Sequence, residues 1–521
     1  MKYTLTVDQP KTGDDISTSS AFFAESPSPR QLTAYDIWDR EQKQMRGHNA
    51  SNDDRFLCRF LYSYENQPFC RPSCIPISLI LILIVLVVLL PLLDGSHEKM
   101  LGHGKRHKGH FQPALCNSCR ITPVESIPEG LVYPNDSLRF MSTFEAWEAL
   151  IKAAEEKIEI GSFYWTLRRE DVANHSSAWE GEKIFESLLE AGTKRGIQIK
   201  IAQSKPSDVS PNTDTEILAS QKAAVVRSVD FPRLVGGGVL HTKLWIVDRQ
   251  HFYVGSANMD WRSLTQVKEL GILATNCTCL ADDIAKIFEV YWKLGQSGAK
   301  IPKKWPAELQ TEINATNQAQ INFVDLGSSN VYLSSSPPQM SPMGREQDID
   351  AIVKTILDAE KFVYVSVMDY IPMMLYTKEL KFWPVIDDAL RKVAIEKNVT
   401  VRLLISHWKH SRSDIDYFLH SLQALNEALP GVNIEVRRFV VPATPDQEKI
   451  PFGRVNHNKY MVTDKTAYIG TSNWSGDYFT NTAGIGFVIA DDPSGNRRET
   501  MRHLIEGIFN RDWNSPYAVK F

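Results

Sequence analysis

The sequence lacks the short motifs that mark several common hydrolases and nucleotide-binding proteins. It contains no G-x-x-x-x-G-K-[ST] loop, no H-E-x-x-H pair and no G-x-S-x-G turn. A P-loop phosphate site, a zinc protease site and a serine nucleophile elbow are therefore not expected. It also lacks an excess of either charge, since 58 basic residues stand against 62 acidic ones for a formal net charge of −4. An anionic ligand must then be bound by a local cluster of positive groups.

Cysteine is scarce, with seven in 521 residues. Three precede or adjoin an apolar segment and are candidates for free or lipid-modified thiols: Cys58, Cys70 and Cys74. The other four form two close pairs, Cys116 with Cys119 and Cys277 with Cys279. A zinc site with four thiolate ligands is one interpretation. Two disulfides are favoured in a secretory compartment, and we expect them to join one pair to the other because a bridge within either pair would be strained.

One long hydrophobic run, 75–93, carries no charge and no polar periodicity. It is long enough to cross a bilayer, whereas a buried core helix would show polar residues at regular spacing. We expect a transmembrane signal anchor, with 1–74 as a disordered cytosolic tail and 94–115 as a luminal linker. Basic residues flank both ends and do not settle the orientation, but sequons beyond the run favour a type II protein with a luminal catalytic part. The candidate glycosylation sites are Asn135, Asn174, Asn276, Asn314 and Asn398.

The rest of the chain repeats one order of predicted elements. A helix leads into an apolar strand at 157–167, and a second helix leads into a similar strand at 361–371. Further matched strands are predicted at 196–204 and 398–406, at 223–229 and 432–439, and at 271–275 and 484–490, with closing helices at 282–294 and 496–513. Strands that alternate with helices indicate an α/β fold. We predict two duplicated α/β/α sandwich halves, 116–320 and 321–521, packed into one catalytic unit.

Each half contains the pattern H-x-K-x4-D followed by G-[ST]-[AS]-N. The first copy lies in VLHTKLWIVDRQHFYVGSANMDW and the second in VNHNKYMVTDKTAYIGTSNWSG. Two chance occurrences of H-x-K-x4-D in one chain have a probability of about 0.1% at average residue frequencies, so we interpret the pair as functional. The first copy supplies His241, Lys243, Asp248, Ser256 and Asn258, and the second supplies His457, Lys459, Asp464, Ser472 and Asn473.

The spacing of the motif suits phosphoryl transfer. A histidine and a lysine at i and i+2 of a strand project from the same face, so two copies can place two imidazoles and two ammonium groups around one cleft. Lysines and asparagines can neutralise and hold a tetrahedral phosphate. One imidazole can attack phosphorus while the other protonates the leaving oxygen and then activates water. This chemistry requires no metal and no cofactor, and we expect none.

On these residues the chain resembles the phospholipase D superfamily. GSANMDWRSLTQVKELG (255–271), VNHNKYMVTDKTAYIGTSNWSG, VESIPEGL (124–131) and the predicted anchor look like the type II membrane subgroup formed by phospholipase D family members three and four. The resemblance extends from about residue 116 to the end. It implies an enzyme of the endoplasmic reticulum, Golgi and lysosome route, a 5′→3′ exonuclease acting on single-stranded DNA and RNA. The alternative is a phospholipase or transphosphatidylase acting on lysosomal lipids, and a homodimer is left open.

The resemblance also assigns roles to the motif residues. It implies that His241 and His457 are the catalytic pair, and that Asp248 and Asp464 mainly orient or brace the motif. The phosphate-binding groups that it implies are Lys243, Lys459, Asn258, Asn473, Ser256 and Ser472.

The two halves differ at one position. The superfamily often places a carboxylate against the second nitrogen of an active-site histidine, and the resemblance puts Glu269 in this role. Across a two-residue gap, the aligned position of the second half is predicted to be Thr482. Because a carboxylate favours the imidazolium form of its partner, this difference favours His241 as nucleophile and His457 as acid/base.

Aromatic residues follow the aligned strands and the motif asparagines. Bases of a nucleic acid could stack on them, although packing in the core is the commoner role of such side chains. The candidates for stacking are Tyr164, Trp165, Tyr370, Trp261 and Trp474.

Overall fold

The computed structural model describes residues 115–116, 119–208, 210–323, 326–377, 379–493 and 499–521. The predicted tail, the membrane anchor at 75–93 and nearly all of the linker lie outside these residues, as do Cys58, Cys70 and Cys74. Among the described residues, none of the helices has the length and apolar character needed to cross a membrane.

Two sheets with the same strand order form the frame of the molecule. The strands of the first half are β1 (Arg120–Ser126), β2 (Lys157–Ser162), β3 (Gln198–Ser204), β4 (Ala224–Val229), β5 (Leu244–Val247), β6 (His251–Gly255) and β7 (Val267–Thr275). Those of the second half are β8 (Ser329–Ser336), β9 (Phe362–Val367), β10 (Thr400–Ser406), β11 (Ile434–Phe439), β12 (Lys459–Thr463), β13 (Thr466–Gly470) and β14 (Gly484–Asp491). Their orders are β1-β7-β6-β5-β2-β3-β4 and β8-β14-β13-β12-β9-β10-β11. Every strand thus matches the one numbered seven higher, as an internal duplication requires.

Helices connect these strands in both halves. They are α1 (Thr143–Ala153), α2 (Trp179–Thr193), α3 (Thr213–Ser220), α4 (Phe231–Val235), α5 (Trp261–Thr265), α6 (Thr278–Leu294), α7 (Asp348–Asp358), α8 (Val385–Lys397), α9 (Asp414–Gln423), α10 (Leu425–Ala428), α11 (Asp477–Thr480) and α12 (Met501–Trp513). In α1 the residues Ala146, Trp147, Leu150 and Ile151 are buried, which is the spacing of one helix face. Its start is fixed by Ser142 and Glu145, which form a capping box. The mixed α/β architecture expected from the sequence is therefore present.

Short strands extend the second sheet at both ends of the described chain. The strand Leu115–Cys116 pairs with Ala319–Ile321, which pairs with β8. The C-terminal strand Ala518–Lys520 pairs with β11. The first described residues thus lie in the sheet of the second half, and the strands of the first half follow them in the chain.

The two predicted bridges between the cysteine pairs are confirmed. Cys116 is joined to Cys279, and Cys119 is joined to Cys277. Cys277 and Cys279 lie at the N-terminal end of α6. The bridges therefore join the first described residues of the chain to the N-terminal end of α6, in the first half.

The two halves exchange backbone hydrogen bonds at the segments that carry the histidines. The amide of His241 donates to the carbonyl of Ala483 at 3.0 Å, directly before β14. The amide of His457 donates to the carbonyl of Lys268, in β7, at 2.8 Å. We refer to this pair of contacts as the crossed hydrogen bonds. The backbone of each histidine segment is therefore held in part by the opposite half.

Candidate active site

A cleft of about 130 Å³ lies where the two halves meet, and both motif histidines line it. The other polar groups of its wall come from both halves: Asn258, Asp260, Ser263, Glu269, Asp369 and Asn473. The structure thus brings together the two imidazoles, the two motif asparagines and the predicted carboxylate.

The two imidazoles have different hydrogen-bond partners on Nδ1. His241 Nδ1 lies 2.9 Å from the carbonyl oxygen of Thr471. Because a carbonyl can only accept, this contact keeps a proton on Nδ1 and leaves a lone pair on Nε2. Lys243 Nζ also lies 3.1 Å from this nitrogen, but it donates to the carbonyl of His241 at 2.6 Å. The geometry of His241 is that of a neutral imidazole ready to act as a nucleophile.

His457 instead faces a carboxylate. Its Nδ1 lies 2.9 Å and 3.0 Å from the two carboxylate oxygens of Glu269. Glu269 belongs to the other half, so the carboxylate of one half serves the histidine of the other. A buried carboxylate stabilises an imidazolium, which suits His457 to the role of acid and base.

The prediction that Thr482 is the counterpart of Glu269 was wrong. In the first sheet Gly271 lies opposite Gly255, and in the second Gly486 lies opposite Gly470. Gly271 and Gly486 are therefore equivalent, and the residues two positions before them are Glu269 and Gly484, with no gap between the halves. The match to Thr482 failed because strand register, and not local similarity, sets the equivalence.

The second half has no room for a carboxylate at Gly484. A Cβ there would lie 2.2 Å from Ser472 Oγ and 3.0 Å from Ser336 Oγ. A side chain at this position would require these serine hydroxyls to move, so the packing favours glycine here and leaves His241 without a carboxylate partner from this position.

Burial and the clustered positive groups shift the pKa values in the cleft. Burial lowers the pKa of both imidazoles well below the usual histidine value, and the neighbouring Lys243 and Lys459 lower it further. Burial also lowers the pKa of Lys459 to about 7 and raises the pKa of Glu269 to about 7. An anionic phosphodiester in the cleft would favour the protonated lysines and imidazole, so the site is electrostatically complementary to phosphate.

The motif lysines and asparagines surround the histidines. Lys459 Nζ donates to the carbonyl of His457 at 2.7 Å, as Lys243 does for His241, and both lysines are buried. The side-chain carbonyl oxygens of Asn258 and Asn473 are buried without a partner in the described part of the chain. Both asparagines line the cleft, whereas the two lysines are held against the backbone of the histidines and do not line it.

A protein-family model described as "PLD3/4, PLD-like domain" matches residues 135–444. The chain belongs to this family. Among curated proteins, "5'-3' exonuclease PLD3" of Xenopus laevis is 50% identical over 406 residues, which cover 78% of this chain and 82% of that protein. The human protein of the same description is 47% identical over 409 residues, with the same coverage. A Caenorhabditis elegans protein described as a probable phospholipase D is 42% identical over 456 residues, covering 86% of this chain and 78% of that protein.

The matched PLD3/4 region includes the first motif and ends before the second. It is the crossed hydrogen bonds and the shared cleft that place His457 beside His241. Within this PLD3/4 chain the remaining predicted residues can be assigned to the cleft or to the frame.

The motif aspartates belong to the frame. Asp248 accepts hydrogen bonds from the backbone amides of Glu155, Glu156 and Lys157 at 2.6–3.0 Å, directly before β2. Asp464 accepts from Glu360 and Lys361 at 3.0 Å, before β9. Neither aspartate lines the cleft. This geometry agrees with the expectation that they brace the motif.

The motif serines do not line the cleft either. Ser256 Oγ donates to the carbonyl of Leu270 and accepts from its amide, at 3.2 Å and 3.0 Å. Its counterpart is Thr471, whose hydroxyl accepts from Ile485 N at 3.0 Å, and not Ser472. Ser472 is buried beside Gly484. The prediction that these hydroxyls bind phosphate is not supported by their positions.

Most of the predicted stacking residues are buried in the core. Trp165, Tyr370, Trp261 and Trp474 are each at most 1% exposed, so they offer no face to a base, and this prediction was wrong for all four. Their apolar surface is used to pack the strands and loops that carry the site. Tyr164 alone lines the cleft, where its hydroxyl donates to Asp260 at 2.9 Å and accepts from Asn258 at 3.3 Å.

Four further aromatic residues line the cleft, and the sequence pattern did not identify them as candidates: Tyr376, Trp408, Phe452 and Tyr478. A signal for Phe452 was present, because it stands five residues before His457 where the first half has Gly236. A residue-by-residue comparison of the segments before the two motifs would have found it.

Proposed function

We propose that this chain is a phosphodiesterase that acts through a phosphohistidine and removes nucleotides from single-stranded DNA and RNA in the 5′→3′ direction. The observation that supports it is the pair of imidazoles in one cleft, one hydrogen-bonded to a carbonyl and the other to a carboxylate. The names of the PLD3 relatives support the class of substrate and the direction.

The reaction would proceed in two displacements. Nε2 of His241 forms a bond to phosphorus as the bond from phosphorus to the leaving oxygen breaks, and His457 gives its Nε2 proton to that oxygen. His457 then accepts a proton from water, and the resulting hydroxide displaces His241 from phosphorus. Lys243, Lys459 and the two motif asparagines would stabilise charge on the phosphoryl oxygens in both steps.

Single-turnover kinetics would test the assignment of the two histidines. The full chain in detergent is mixed with 3′-labelled single-stranded oligonucleotides and, separately, with a nucleotide ester of p-nitrophenol, whose leaving group needs no acid. His457→Ala should release one equivalent of p-nitrophenol and retain a phosphoenzyme, whereas His241→Ala should give neither. A covalent adduct on His457 in the wild-type protein would contradict the assignment.

Phospholipid vesicles serve as the competing substrate. Release of nucleotides from a free 5′ end, with slow or no lipid turnover, is expected. Lipid hydrolysis or transfer to an added alcohol, without any nucleotide release, would contradict the nuclease proposal and favour the phospholipase alternative.

We also propose that the chain is a type II membrane glycoprotein whose catalytic part lies in the lysosomal lumen. Two disulfides support an oxidising compartment. The sequon asparagines at 135, 174, 276 and 398 are exposed and that at 314 is half-buried. Glycosidase treatment should increase gel mobility, and intact vesicles should protect the catalytic part from added protease. Digestion of that part in sealed vesicles would contradict this topology.

A further inference from the structure

Four of the aromatic side chains that line the cleft form two groups. Phe163 and Tyr478 pack against the imidazole of His241, with ring centroids 5.4 Å and 5.1 Å away. Trp408 and Phe452 instead contact each other, with ring centroids 6.1 Å apart. The first group supports a catalytic residue, while the second lies on the cleft wall without a role in the chemistry described above.

A histidine joins the second group. The ring of His410 is stacked on Phe452 at 4.5 Å and meets Trp408 edge-on at 4.8 Å. We refer to Trp408, His410 and Phe452 as the aromatic platform. Trp408 and Phe452 are half-buried and line the cleft. Trp408 Nε1 is buried without a partner among the described residues.

The backbone of Phe452 is strained. Its φ of 59° lies in the left-handed region, which bulky side chains rarely adopt. The equivalent residue of the first half, Gly236, has φ 81° and no strain, because glycine has no Cβ. The two loops therefore share one backbone shape, and the second half places a phenyl ring where the first half has glycine. Strain of this kind is retained at functional sites when the side chain is needed there.

A neighbouring strained residue has a structural explanation. Arg454, with φ 58°, corresponds to Gly238, with φ 79°. Its guanidinium donates to Gln266 Oε1 at 3.2 Å and to the carbonyl of Pro442 at 2.9 Å. These contacts hold the loop to the first half and account for the arginine. Phe452 lines the cleft, and the guanidinium of Arg262 lies 5.9 Å from its ring centroid.

Trp408 is also confined to the second half. It lies two residues after the end of β10, and the residue two beyond the end of β3 is Pro206. The paired registers of β2 with β3 and of β9 with β10 make these positions equivalent. The phosphate-binding groups of the cleft are therefore nearly symmetric, whereas the aromatic platform exists on one side only.

We propose that the aromatic platform is a nucleobase subsite, on which the base of a nucleotide adjoining the scissile phosphate stacks. The proposal rests on the nuclease function proposed above and adds the position of the base to it. Every base offers a flat π-face, so stacking binds nucleotides of any sequence. A platform on one side of a symmetric phosphate site also makes the two ends of the bound strand unequal, as directional cleavage requires.

Abasic substrates test the presence of a base at the platform. The full chain in detergent is given 3′-labelled single-stranded oligonucleotides of equal length with ordinary bases, or with a tetrahydrofuran abasic residue at the first or the second position. Loss of the stacked base at one of these positions should lower kcat/KM by roughly 10- to 100-fold, mainly through KM.

Variants of Phe452 separate stacking from a structural role. Phe452→Gly installs the residue of the first half and removes the strain, so the melting temperature should not fall. For Phe452→Gly, kcat/KM on the ordinary oligonucleotide should fall to the value that the wild type shows on the abasic oligonucleotide. Replacing the base by the abasic residue should not lower the kcat/KM of this variant any further. Phe452→Tyr should retain activity and Phe452→Leu should lose it. Trp408→Leu should behave like Phe452→Gly in the kinetic measurements.

Phe382→Ala is the matched control, because Phe382 is 68% exposed and does not line the cleft. It should cleave both oligonucleotides as the wild type does. Wild-type kcat/KM in both Phe452→Gly and Trp408→Leu would overturn the proposal, as would an undiminished abasic effect in these variants or a loss confined to phospholipid turnover. If the wild type cleaved no oligonucleotide at all, the nuclease function would fail first, and the subsite with it.

Discussion

At the scale of single residues, the two histidines differ through the groups behind them. Thr471 offers a carbonyl to His241, and Glu269 offers a carboxylate to His457. The motif spacing along a strand predicted both histidines, and the family resemblance implied the carboxylate. Neither could show which histidine Glu269 contacts, since that contact crosses between the halves.

Substitution of Glu269 by glutamine should therefore impair catalysis more than binding. The amide cannot stabilise the His457 imidazolium, so we expect kcat to fall by roughly 100-fold with little change in KM. Loss of the carboxylate lowers the pKa of His457, so the alkaline limb of the pH–rate profile should move to lower pH. Steady-state rates between pH 4 and pH 8 measure both effects.

A substrate with a p-nitrophenyl leaving group provides the control for this variant. Its departure needs no acid, so the first displacement should be nearly unaffected by Glu269→Gln. An equal loss of rate with good and poor leaving groups would show that Glu269 acts on something other than the acid.

At the scale of secondary structure, the motif aspartates fix the turns that precede two central strands. Asp248 accepts three backbone amides before β2. Asp248→Ala leaves these donors without their partner, so the free energy of unfolding should fall by about 2 kcal/mol. The kcat per folded molecule should stay within about twofold of the wild-type value.

Denaturant unfolding with active-site titration distinguishes this from a catalytic role. Asp464→Ala should show the same behaviour with a smaller loss of stability, because Asp464 accepts hydrogen bonds from only two backbone amides directly before β9. A large fall in kcat at unchanged stability would assign the aspartates to the chemistry.

The strands themselves could be predicted closely from the sequence. The predicted strand at 398–406 appears as Thr400–Ser406 and that at 432–439 as Ile434–Phe439. Continuous apolar runs are typical of strands covered on both faces, and this signal is local. The aromatic platform could not be predicted in this way, because Trp408 and Phe452 come together through loops between elements.

At the scale of the whole molecule, the two disulfides close nearly the same loop. Their sequence separations are 163 and 158 residues. Once one bridge is present, the second restricts the unfolded chain little further. Removal of either bridge alone should cost far less than removal of both, for which the loop-entropy model gives about 5 kcal/mol. Melting temperatures of Cys116→Ser/Cys279→Ser, Cys119→Ser/Cys277→Ser and the fourfold variant measure this, and additive losses would contradict it.

Buried carboxyls make stability depend on pH. Burial raises the pKa of Asp348 to about 6 from its ordinary value of 3.8. The folded state therefore binds more protons than the unfolded state between these pH values, and the free energy of unfolding falls as pH rises through this window. For Asp348 the loss approaches about 3 kcal/mol above pH 6.

Asp348→Asn removes this dependence. The amide can still accept from Ser334 and Tyr468, which lie 2.8 Å and 2.9 Å from the Asp348 carboxylate. The melting temperature of the variant relative to the wild type should therefore be higher at pH 7.5 than at pH 4. A difference that does not change with pH would show that Asp348 does not titrate in this range.

The crossed hydrogen bonds also bear on how such a chain can arise. Because each histidine depends on the opposite half, a single-motif protein could build this site only as a pair of identical subunits. In such a pair every substitution is present in both subunits. A glycine in place of the carboxylate residue would therefore remove the carboxylate from both subunits at once. Two copies in one chain are free of that constraint. Within one chain, equivalent positions can carry different residues, as Glu269 and Gly484 do, and as Phe452 and Gly236 do.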